Sequence, residues 1–156
     1  MNHHQITIPL AGYLREWLVA QYGDPVRFPS RSFENAILAR YLSKRPGRTS
    51  LSPGCEVLSI ALPKVRGKEA DCYRHLSAEG IAALTEAIDV VFRLDMWHSL
   101  AAILTQDNIN ERIRLWCKEK GIDDDHVEAV RQKFYRARRD YARHGIILGK
   151  KYKSSR

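Results

Sequence analysis

The residues best equipped to do chemistry are the basic ones near the C-terminus. Between Arg131 and Arg156, ten Lys or Arg stand against one acid, Asp140. Phe134, Tyr135, Tyr141 and Tyr152 are interleaved with them. This segment carries +9, whereas all 156 residues together carry +8. Charge concentrated in this way attracts polyanions. The planar fork of a guanidinium matches a phosphate or the edge of a guanine. A tyrosine can bond a phosphate or stack on an unpaired base. Arg131, Tyr135, Arg138 and Arg139 are the candidates to face DNA, with Arg143, Lys150, Lys151 and Lys153 on phosphates.

Other chemistries have less support. Cys72 and His75 form a C-x2-H pair, with Cys55 and His98 as further candidates. A structural zinc site usually shows two such close pairs. Asp123, Asp124 and Asp125 lack the spacing of a calcium loop and suit the positive end of a helix instead. Cys117 lies beside Lys118 and Lys120, which would lower its pKa, but the sequence fixes no histidine near it. Gly149-Lys150-Lys151 lacks the glycine spacing and the Ser/Thr of a phosphate loop. The chain also lacks G-x-S-x-G, H-E-x-x-H and a dinucleotide fingerprint. The expectation is a protein that is not an enzyme and uses no metal or cofactor. A second basic cluster, Arg40, Lys44, Arg45 and Arg48, sits where cations would relieve the negative end of a helix.

The elements that position these residues follow from the apolar pattern. Ile6–Leu10 reads as an edge strand because Pro9 removes a ladder donor. Tyr13, Leu14, Trp17, Leu18 and Tyr22 mark a helix stopped at Gly23. Ser30 or Ser32 caps the next, with Phe33, Ile37, Leu38, Tyr41 and Leu42 as its buried stripe. Cys55–Val65 reads as the best strand. Leu76-Ser77 opens a helix carrying Ile81, Leu84, Ile88, Val91 and Phe92, which runs on towards Leu104 with a break near Asp95. Asp107 or Asn108 caps a helix over Ile109–Lys120. After the turn Gly121-Ile122-Asp123 comes a helix over Asp124–Arg143. Two short helices joined at a glycine are the form of a DNA-reading helix pair. Val127, Val130, Phe134, Ala137 and Tyr141 would be the buried face of the second. Trp17, Trp97 and Trp116 fall among apolar residues and are expected in cores or interfaces.

The fold class is α+β and mostly helical, with short N-terminal strands and a C-terminal hairpin resembling a helix-turn-helix. Residues 1–148 are expected to form one domain and 149–156 a flexible basic tail. Charge alternates along the chain: residues 1–68 carry +6 and residues 69–128 carry −7. The acidic middle could therefore neutralise part of the basic end. No apolar run approaches the roughly 20 residues that span a bilayer. The start is polar, and three cysteines suggest no disulfide framework. A cytoplasmic protein with no membrane partner is expected, and self-association is left open.

Ile6–Leu18, Gln21–Pro29 and the run Lys133-Phe134-Tyr135-Arg136-Ala137-Arg138-Arg139-Asp140-Tyr141 resemble uncharacterised small proteins of bacterial phages and integrated mobile elements. The resemblance implies an accessory or regulatory protein of a mobile element and carries over no functional residues. The expectation is DNA binding through the basic helix and arm. The alternatives are an assembly or host-takeover module that binds an acidic protein surface, and a metal-dependent nuclease or strand-transfer enzyme.

Overall fold

The computed structural model describes residues 4–46, 56–100 and 108–145. They are α+β and mostly helical, and none of their helices is long and apolar enough to cross a membrane. The chain divides into two compact units, Met1–Val90 and Val91–Arg156.

The N-terminal unit is built on strand β1 (Gln5–Pro9), which pairs antiparallel with β3 (Val57–Ala61), Ile6 opposite Ile60 and Ile8 opposite Leu58. Both strands alternate: Ile6, Ile8, Leu58 and Ile60 are buried, while Thr7 and Ser59 point away from the core. Val26 bridges Ile60 in parallel on the other side of β3, leaving β1 at the edge, where Pro9 is tolerated. Helix α1 (Gly12–Tyr22) buries Leu14, Trp17 and Leu18, and the Arg15 Nε donates to the Val57 carbonyl at 2.9 Å.

Helix α2 (Phe33–Tyr41) is capped by Ser32, whose hydroxyl accepts from the Asn35 amide at 3.2 Å. It buries Ile37 and Leu38, but Phe33 is 71% exposed, contrary to its place in the expected stripe. Phe33 is the first helical residue, and the core does not reach that end of the helix. The other end is finished from a distance. Lys68 Nζ donates to the carbonyls of Ala39, Arg40 and Leu42 at 2.7, 3.1 and 3.2 Å. Sequence pointed to Arg40, Lys44 and Arg45 for this role. Instead Arg40 lies over the Tyr41 ring and Lys44 over the Tyr73 ring. Arg48 lies outside the described residues.

A two-residue ladder pairs β2 (Leu42–Ser43) with β4 (His75–Leu76). The expected strand Cys55–Val65 is shorter than its hydrophobicity suggests. Cys55 lies outside the described residues, Pro63 withholds a ladder donor, and Val65 makes an isolated bridge to Lys68. Helix α3 (Ala78–Leu100) begins where the Ser77 hydroxyl accepts from the Gly80 amide at 3.1 Å. Gly80 admits a close approach: a Cβ there would collide with Tyr41 Cβ. The division between the units falls inside α3. The helix is unbroken through Asp95, and Val91, expected in its buried stripe, is 40% exposed.

The C-terminal unit contains the end of α3, α4 (Ile109–Glu119) and α5 (Val127–Arg143). Phe92, Met96, Ile113, Trp116, Val130 and Phe134 are buried in it, with Phe92 set edge-on to Trp116 at 5.6 Å. Lys120 pairs with Asp95 at 3.1 Å, so the acid that suggested a break joins α3 to the end of α4.

Candidate nucleic-acid interface

The turn between α4 and α5 follows from its residues. Gly121 takes φ 78°, which favours glycine, and lets the chain reverse. The Gly121 amide donates to Lys118 O at 3.2 Å and the Ile122 amide to Cys117 O at 2.8 Å. These two bonds are the pairing of a Schellman motif, and Ile122 supplies its buried contact. Asp123 then accepts from the Asp125 amide at 3.0 Å, and a single tight turn over Asp124–His126 leads into α5. The helix expected from Asp124 therefore starts at Val127, and Asn108 opens α4 without a side-chain capping bond.

Helix α5 has two faces. Val130 and Phe134 are buried, Val127, Ala137 and Tyr141 are half-buried, and Tyr141 stacks on Trp97 with ring centroids 4.6 Å apart. At about 100° per residue, Gln132, Arg136, Arg139 and Arg143 follow one another along the opposite side. All four are exposed.

The candidates on α5 divide between these faces. Arg131 is half-exposed and grips Glu128 one turn back, Nη2 to Oε1 at 2.7 Å. The hydrogen bond from Arg131 holds the Glu128 carboxyl below its ordinary pKa, and Glu128 raises that of Arg131. The Tyr135 hydroxyl donates to Asn110 Oδ1 at 3.0 Å, joining α5 to the start of α4, and its ring lies edge-on to Phe134. Arg138 is half-exposed on the same flank as Arg131. Arg139 and Arg143 are on the outer side, where Arg143 makes an exposed 3.7 Å pair with Asp140. Among the described residues, no acid pairs with Arg136, Arg138 or Arg139. Lys150, Lys151 and Lys153 lie outside the described residues.

Arg136 was not among the candidates. Its signal was present, because 136, 139 and 143 are spaced by three and four and so lie in one row. From the sequence it reads only as a residue that, with Lys133 and Arg143, widens the charged surface. Helix α4 presents no comparable row: Glu111 and Glu119 are exposed along with Arg112, Arg114 and Lys118.

Cys117 is buried, and its thiol is pushed up to about 11, by burial first and by the nearby Asp124 second. Lys118 and Lys120 do not lower it as the sequence suggested, because Lys118 points to solvent and Lys120 holds Asp95. A thiol in this state is a poor nucleophile. Among the described residues, no group of three His, Cys, Asp or Glu could hold a metal ion. Comparison of the chain with protein-family models, curated proteins and solved structures finds no match.

Proposed function

We propose that the protein binds DNA through α5, as an accessory or regulatory factor of a phage or mobile element. The observation that carries this reading is the outer row Arg136, Arg139 and Arg143, on a helix whose opposite face is fixed in a core. Arg138 flanks the row, and Lys150, Lys151 and Lys153, which follow α5 in sequence and lie outside the described residues, would add affinity through phosphates.

The charge along α5 favours one way of docking. The recognition helix of a helix-turn-helix presents its N-terminal residues to the bases. Here that end carries Asp123, Asp124, Asp125 and Glu128, which repel phosphates. The hairpin therefore meets the duplex with the C-terminal two-thirds of α5 lying along the backbone. Contacts of this kind position a protein and supply affinity with little sequence readout.

The test is binding of the full chain to a duplex fragment at about 50 mM salt, where backbone contacts are strongest. Binding that weakens steeply as salt is added is the expected result. An absence of binding at that salt would overturn the reading and leave a partner with an acidic protein surface.

A further inference from the structure

The N-terminal unit holds a second cationic feature that the reading of α5 does not use. A cleft of about 690 Å³ opens between α2 and the chain leaving β3, and Arg27, Arg31, Lys64 and Arg66 line it. Among the described residues, no Asp or Glu lines it. Nor does any of the four cations have an ion-pair partner among the described residues. Asp24, three residues before Arg27, faces Arg15 at 3.8 Å instead.

The four cations sit on hydrogen-bonded backbone. Arg27 follows Val26, whose amide donates to Ser59 O at 2.9 Å and whose carbonyl accepts from the Ala61 amide at 2.8 Å. Arg31 lies between Pro29 and Ser32, which are joined by two bonds of 3.0 and 2.7 Å. Lys64 and Arg66 flank Val65, whose carbonyl accepts from the Lys68 amide at 3.1 Å. The space exists because the facing residues are small: Ala36 and Ala39 on α2, and Ala61 at the end of β3. Its size is that of a small-ligand site.

We propose that this cleft binds a phosphate group. Four cations from two separate segments, residues 27–31 and 64–66, with no acid lining the cleft among the described residues, repel one another until an anion is placed among them. Arginine forks in particular match phosphate oxygens. A free phosphorylated small molecule and a phosphate of a nucleic acid present the same group, and the space accommodates a nucleotide in either form. The proposal does not depend on α5.

The experiment follows backbone amide shifts of the isotope-labelled full chain during titration with inorganic pyrophosphate, and separately with a short oligothymidylate. Saturable shifts in residues 27–35 and 61–66 with pyrophosphate identify a free phosphorylated ligand. Shifts there with the oligonucleotide alone identify a nucleic-acid phosphate. R27Q/K64Q, which removes two charges and keeps polar side chains, weakens pyrophosphate binding at these amides about tenfold, and R136Q/R139Q leaves that pyrophosphate binding unchanged. If neither probe moves these amides, or if R27Q/K64Q binds as tightly as wild type, the proposal fails.

Discussion

The cleft of the N-terminal unit and helix α5 both gather cations, but they differ in how those cations meet acids. On α5 the helical repeat places an acid three residues before two of the arginines, so Glu128 holds Arg131 and Asp140 holds Arg143. The cleft draws Arg27, Arg31, Lys64 and Arg66 from two segments far apart in sequence, and no acid lines it among the described residues. A helix that carries its own counter-charges keeps only part of its formal charge for a partner. Cations brought together by folding keep all of it. The lesson is that +9 over the last 26 residues overstates what α5 offers, while the ordinary-looking first half holds a site with undivided charge.

Changing the signs of α5 separates the two regions most strongly. R136E/R139E/R143E is expected to weaken duplex binding by about a hundredfold or more at low salt, measured by fluorescence anisotropy, while pyrophosphate binding at the cleft stays intact. Loss of both would mean that the regions act as one. Next in size is Lys68, whose ammonium closes the C-terminal end of α2, one wall of the cleft. K68M is expected to lower thermal stability by about 1–3 kcal/mol and to weaken pyrophosphate binding, with duplex binding unchanged.

In the C-terminal unit, Cys117 provides a pH test of the buried face that supports the arginine row. Its folded pKa is raised to about 11 from an ordinary value of 9.0, so the folded state holds a proton that the unfolded chain releases. Its contribution is fully present below pH 9 and is lost as pH rises towards 11. C117S, which removes this titration, is expected to flatten the decline in stability over that window by on the order of 2 kcal/mol. Exposed Cys72 should react with a thiol reagent well before Cys117. The smallest effect belongs to Glu128. E128Q frees Arg131 and is expected to tighten duplex binding by about two- to threefold at low salt.

Sequence reading went furthest where a periodic apolar pattern ran without interruption. The buried stripe of α5 falls on Val130 and Phe134, the turn on Gly121, and the cap of α2 on Ser32, because each rests on local spacing or local hydrogen bonding. It went less far where a distant residue decides. Lys68 reaches the end of α2 from 26 residues beyond Leu42, and no local pattern announces that bond. Tyr135 stands off the buried stripe, which in the sequence points it at DNA, yet Asn110 from the preceding helix takes its hydroxyl. The cleft was illegible for the same reason: Arg27, Arg31, Lys64 and Arg66 become neighbours only when Val26 joins β3. Arg136 differs from these, since its spacing with Arg139 and Arg143 was open to reading.

The central claim is that the outer arginines of α5 contact a DNA backbone. Its most direct test is the salt dependence of duplex binding for wild type and for R136Q/R139Q. Three to six phosphate contacts give a slope of log K against log salt of about −3 to −5. Loss of two such contacts should make the slope shallower by about 2. An unchanged slope in R136Q/R139Q, with the fold intact, would contradict the account.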